Sequence, residues 1–140
     1  MIDKWIGHTT PQQSITIGIE EAVHFAKAIQ PGLSFSKSLK EGKTIFLPPT
    51  MAITFMNKIQ VPWLRESDGL IHAKQSFDYR KRLAANHPYL CTLTLEEVFA
   101  KPGKRGLMTF VIQSLAIYDE EDLQATARTT LVLPERGEVK

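Results

Sequence analysis

The residues of this 140-residue chain that could do chemistry are one cysteine, four histidines, a strand-borne amide and two clusters of positive charge. Cys91 has no second cysteine with which to form an internal disulfide or a Cys-x-x-Cys pair for zinc or redox chemistry. It shares its parity with Leu93 and Leu95 in an alternating stretch and reads as an inert core thiol. A nucleophilic role would need an activating base or cation. His8, His24 and His87 fall on an N-terminal arm, a polar helix face and a loop before Pro88, a spacing that suggests no metal site. His72 takes the polar parity of its strand and reads as an exposed imidazole without a catalytic role. Gln75 takes the opposite parity, so its amide is expected to be buried and must be hydrogen-bonded. That bond is either a structural tie to backbone or a polar contact in a ligand groove. Tyr79-Arg80-Lys81-Arg82 and Lys101-Pro102-Gly103-Lys104-Arg105 read as solvated turns and strand ends, or as a rim offering Arg82 and Arg105 as bidentate forks to an anionic partner.

These residues need elements to position them. After a short extended segment, Ser14 to Ile17, apolar residues fall at Ile19, Ala22, Val23, Ala26 and Ile29, with Glu20, Glu21, His24 and Lys27 on the other face. That is an amphipathic helix, with acids in its first turn and Pro31-Gly32 as its stop. From Pro31 to Lys43 no period is sustained, which reads as a loop. Pro48-Pro49-Thr50 then opens a helix through Ile59, with proline in the first turn and Thr50 as a candidate cap. Its apolar residues nearly encircle it, so it belongs at the centre of the domain. The N–H groups near Thr50 and Met51 are either the ordinary beginning of that helix or donors aimed at a carbonyl oxygen.

The second half changes to period two. In Leu70 to Lys81 the odd positions, Ile71 to Tyr79, are apolar apart from Gln75, and the even ones are polar. Tyr89 to Ala100 and Leu123 to Leu133 alternate likewise, whereas Leu107 to Tyr118 is apolar on both parities, as a central strand covered on both faces would be. Lys101 to Arg105 and Asp119 to Asp122 read as hairpin turns. The sum is a single α+β domain spanning residues 1–140, an antiparallel sheet wrapped around one long helix.

Composition fits this architecture and excludes others. With 43% hydrophobic residues, 23% charged residues and a net charge of +2, the chain can bury a core without staples. No apolar stretch approaches the roughly 18 residues of a membrane span, and the start lacks the pattern of a signal peptide. The lone cysteine fits a reducing compartment, so a cytoplasmic protein is expected. Neither nucleic acid nor a membrane is an expected partner, because the two basic clusters come with no recognised motif.

Five segments in order resemble the N-terminal, fatty-acid-synthase-like dehydratase domain of the MaoC hydratase family. They are Ile17-x-Ile19-Glu20-Glu21-x-x-x-Phe25-Ala26-x-Ala28-Ile29, Leu47-Pro48-Pro49-Thr50-Met51, Leu70-Ile71-His72-Ala73-x-Gln75-x-Phe77-x-Tyr79, Gly106-x-Met108-Thr109-Phe110-Val111 and Ala125-Thr126-Ala127-Arg128-x-Thr130-Leu131-Val132. The resemblance implies a hotdog fold and a site for acyl thioesters of coenzyme A or acyl carrier protein. It implies no cofactor.

Catalytic members resemble one another in a Gly-Asp-x-Asn-Pro-x-His segment after the first helix, whose Asp and His activate water across an enoyl double bond. Here the matching stretch, Ile29-Gln30-Pro31-Gly32-Leu33-Ser34-Phe35-Ser36, holds neither an acid nor a histidine. Hydration needs a base to take a proton from water and an acid to return one. No catalytic residue is therefore assigned, and Glu41 or His72 swung into a thioester-lined crevice, close enough to share a solvent molecule with bound ligand, would overturn that reading. The candidate ligand contacts are Pro49, Thr50, Met51, Phe55, Gln75, Arg82 and Arg105, the two arginines facing the phosphates of coenzyme A or an acidic carrier surface. The expected role is the non-catalytic subunit of a hydratase or dehydratase, paired with a catalytic hotdog subunit. The rivals are a homodimeric acyl-CoA binding or regulatory protein without turnover, and a hotdog thioesterase. The latter is opposed by the absence of a carboxylate from Met51 to Ile59.

Overall fold

The computed structural model describes residues 2–32, 40–64, 71–104 and 106–134. A short 3-10 turn, Ile2–Trp5, leads into β1 (Gln13–Thr16) and α1 (Ile19–Ile29). A second 3-10 turn, Pro49–Met51, runs into α2 (Ala52–Asn57). The remaining elements are β2 (Ile71–Tyr79), β3 (Pro88–Gly103), β4 (Gly106–Asp119) and β5 (Asp122–Pro134). The strands form one five-stranded sheet in the order β1-β3-β4-β5-β2, with every pair antiparallel.

The sheet wraps α2 because alternation puts one face of each long strand against it. Cys91, Leu93 and Leu95 of β3, Val111, Leu115 and Ile117 of β4, and Ala125, Ala127 and Leu131 of β5 share one core with Met51, Ala52, Phe55 and Met56. Phe55 is fully buried and meets the Tyr89 ring edge-on at 6.2 Å between centroids. α1 has the expected bounds, and its Ala22 and Ala26 are buried. The N-terminal arm continues the β1 edge along β3, with Thr10 N–H donating to Leu93 O and Gly7 N–H to Leu95 O, each at 2.8 Å.

Five expectations are corrected. The central helix is not long: the two prolines impose a 3-10 turn, and only six α-helical residues follow. Thr50 does not cap it; the hydroxyl of Thr54 instead donates back to Met51 O at 2.7 Å. In β2, Ile71 and Ala73 are exposed although their parity is apolar, since this is an edge strand with an irregularity between His72 and Lys74. β4 alternates between buried and half-buried residues, so the single chain covers one of its faces. Finally, the Lys101 to Arg105 turn is tighter than expected. Strand pairing continues to Gly103↔Gly106, a closure that uses the positive φ of Gly106 (119°).

No helix among the described residues is long and apolar enough to cross a membrane.

Candidate functional site

Among the described residues, two clefts lie at opposite ends of α2. The first lies between the end of α1 and the start of α2, encloses about 500 Å³ and is lined by Ala26, Ile29, Gln30, Phe46, Leu47, Pro48, Pro49 and Arg82. Its walls are mostly apolar, and among the described lining residues the one charge is Arg82, whose guanidinium lies 4.2 Å from the centre of the Phe46 ring. The Tyr79 hydroxyl, from the end of β2, donates to Pro49 O and anchors the turn that begins α2. Burial pushes the Tyr79 hydroxyl pKa up to about 12, so it remains a donor throughout the neutral range. Met51 N–H donates to Pro48 O at 2.9 Å. That bond consumes one of the two backbone donors considered for a thioester carbonyl.

The second cleft, about 640 Å³, lies beyond the C-terminal end of α2. Ile53, Met56, Ile59, Val61, Leu64, Leu93 and Leu131 supply apolar walls, and Asn57, Gln60, His72 and Gln113 supply polar groups. The pairing of the strands sets three polar side chains in one row across the inner face, with Gln113 on β4 opposite Thr129 on β5, and Thr129 opposite Gln75 on β2. Thr129 Oγ1 lies 2.6 Å from Gln75 Oε1 and 3.2 Å from Met56 Sδ. His72 Nε2 lies 3.0 Å from Gln75 Oε1, while Gln75 Nε2 donates to Ser76 O at 3.3 Å. Since the Gln75 oxygen only accepts, His72 Nε2 is the donor of that pair. At the other end of the row, Trp63 Nε1–H donates to Gln113 Oε1 at 2.9 Å.

The structure thus divides the sequence-derived contacts. Pro49 and Arg82 share the first cleft, with the exposed Thr50 in the turn beside it. Met51 and Phe55 have no exposed surface and support the start of α2 from beneath. Gln75 is half-buried rather than buried, and it acts as a tie between side chains at the edge of the second cleft. Arg105 lies outside the described residues, as does the part of the Ile29 to Ser36 stretch from residue 33 onward.

His72 does reach a cleft. Among the described lining residues, however, no carboxylate accompanies it to complete an acid–base pair. Glu41 instead pairs with Lys43 at 3.0 Å. Cys91 is fully buried, and burial pushes its thiol up to about 12, as an inert core residue requires. Trp63 and Gln113 were not singled out from sequence. The signal for Gln113 was present: it is the one polar residue on the buried parity Val111, Gln113, Leu115, Ile117.

Comparison with known proteins places this geometry. A chain of the HadBC (3R-hydroxyacyl-ACP dehydratase) complex from Mycobacterium tuberculosis has a TM-score of 0.72 at 21% identity, over 92% of this chain and 97% of that one. A chain of the ChsH1-ChsH2 complex from the same organism scores 0.70 at 12% identity, over 97% of this chain and 95% of that one. A MaoC-like dehydratase scores 0.74 at 15% identity, over 94% of this chain and 43% of that one. These likenesses establish the hotdog fold. No curated protein matches by sequence. The family described as FAS1-like, dehydratase domain region, matches residues 4–127. With that match over most of its length, the chain belongs to the FAS1-like dehydratase domain region family, and its fold is the hotdog.

Proposed function

We propose that this chain is the acyl-thioester-binding, non-catalytic half of an enoyl-thioester hydratase or dehydratase, working beside a hotdog subunit that carries the Asp and His. The observation that supports this reading is the stretch from Ile29 to Ser36: catalytic MaoC-type hydratases, which the sequence resembles, carry their acid and histidine there, and this chain holds neither. The first cleft supports it: an apolar slot bordered by the end of α1 and the turn into α2, with Arg82 at its rim, suits an acyl thioester whose carrier ends in phosphates. The pairing is supported by similar folds in the HadBC and ChsH1-ChsH2 complexes.

The test is reconstitution. Acyl-CoA should bind the isolated chain without turnover, and hydration should appear when a hotdog subunit bearing the acid and histidine is added. Arg82→Glu should weaken acyl-CoA binding by roughly tenfold, the loss of one charge-assisted contact. Unchanged affinity would remove Arg82 from the site, and a chain that binds no acyl thioester alone or in the pair would sink the reading.

A further inference from the structure

The row Gln113, Thr129, Gln75 is an expensive feature for the inner face of a sheet. Buried polar groups cost free energy unless their hydrogen bonds are made, and apolar residues at these positions would avoid the cost. Most of the row is satisfied. Gln75 Oε1 takes the Thr129 hydroxyl and His72 Nε2–H, and Gln113 Oε1 takes Trp63 Nε1–H.

Gln113 is the exception. It is 4% exposed and lines the second cleft, and among the described residues nothing accepts from its Nε2. Its carbonyl oxygen is held by Trp63, itself buried, so the amide cannot turn over without losing that bond. Among the described residues, Gln113 Nε2 is not one of the fully enclosed atoms that lack a partner, so the amide keeps some surface open beside the walls Ile53, Met56, Leu93 and Leu131. An all-hydrocarbon occupant would strip that surface of water and leave the amide N–H unpaired.

We infer that this second cleft binds an aliphatic chain bearing an oxygen function partway along it, with the Gln113 amide donating to that oxygen. The apolar walls take the methylenes, and Gln113 sets the preference for a carbonyl or hydroxyl over a plain methylene. The inference rests on the chain being a binder of acyl thioesters, which, apart from the thioester carbonyl itself, offer such an oxygen in an oxygenated acyl tail or in the amides of the pantetheine arm.

Binding of a mid-chain ketone of about eleven carbons, of the alkane of equal length, and of pantetheine should be measured on the full chain, by displacement of an environment-sensitive fluorophore. In the native protein the ketone or pantetheine should bind about fivefold more tightly than in Gln113→Leu, as one net hydrogen bond predicts. The alkane should bind both equally. A Gln113 dependence confined to the ketone assigns the acyl tail, and one confined to pantetheine assigns the arm. Because Gln113→Leu strands the Trp63 N–H, the double variant Trp63→Phe/Gln113→Leu serves as the fold control. It should recover thermal stability and not the preference. The proposal is overturned if neither oxygenated probe distinguishes the native chain from the double variant, as when a water alone satisfies the amide. Arg82→Glu separates this from the acyl-thioester reading: it should lower acyl-CoA affinity and leave the ketone-to-alkane ratio unchanged.

Discussion

Tyr79 shows how much one side chain on an edge strand can hold in place. Its hydroxyl ties the end of β2 to Pro49 O, at the turn that begins α2 and borders the first cleft. Tyr79→Phe should therefore cost about 1 kcal/mol in urea unfolding, the net value of an ordinary hydrogen bond. A change within error would show that the tie contributes nothing. Cys91 and Tyr79 also set an alkaline limit. Burial raises the thiol from 9.0 and the phenol from 10.0, each to about 12. Both stay protonated in the folded chain while the unfolded chain gives up its protons, so the unfolded state binds fewer protons at high pH and stability falls as pH rises. The contribution is complete below about pH 9 and is lost between about pH 9 and 12. Urea midpoints across that range should decline, and the native thiol should not react with thiol reagents at pH 8. A flat profile with a reactive thiol would contradict its burial.

Among the elements, α1 was legible to the residue, because five apolar positions at helical spacing lie between a glycine and Pro31-Gly32. What the sequence did not disclose was its cap. Gly18 has no side chain to offer, and the cap comes from far along the chain: Asn86 Oδ1 accepts Ile19 N–H at 3.2 Å, while Asn86 N–H donates to Ile17 O at 2.7 Å. Asn86 sits at φ 61°, a conformation that asparagine tolerates and alanine resists. Asn86→Ala should cost about 1–2 kcal/mol, and Asn86→Gly, which keeps the backbone and loses the cap, about half of that. Equal effects would assign the whole cost to the cap. The central helix was misjudged in length for a similar reason. Periodicity from Met51 to Ile59 records burial, and a short helix continuing into a packed segment buries residues at the same spacing. Parity found the buried faces of β3 and β5 but overstated β2, because pattern does not distinguish an edge strand from an inner one.

At the scale of the whole molecule, the sheet ends in two edges, and β2 presents Ile71 half exposed on one of them. The apolar character of both parities in β4 is likewise greater than one chain uses, since Phe110, Ile112, Ala116 and Tyr118 remain half-buried. Both features suit a domain completed by a second one. The candidate site was legible only in part. Pro49 and Arg82 fall in one cleft, Gln75 bonds to His72 in the wall of the other, and Gln113 was hidden inside an apolar run. Pairing across three strands, which no local pattern encodes, is what sets Gln113 beside Thr129 and Gln75. The central claim is that this hotdog domain binds acyl thioesters and leaves the chemistry to another subunit. It is tested most directly by the initial rate at which the pure chain hydrates a trans-2-enoyl-CoA, measured beside the same chain mixed with a catalytic hotdog partner. The account predicts a rate at the uncatalysed background for the chain alone and turnover in the mixture. Turnover by the pure chain at an ordinary enzymatic rate, about 1 per second or more, would contradict it.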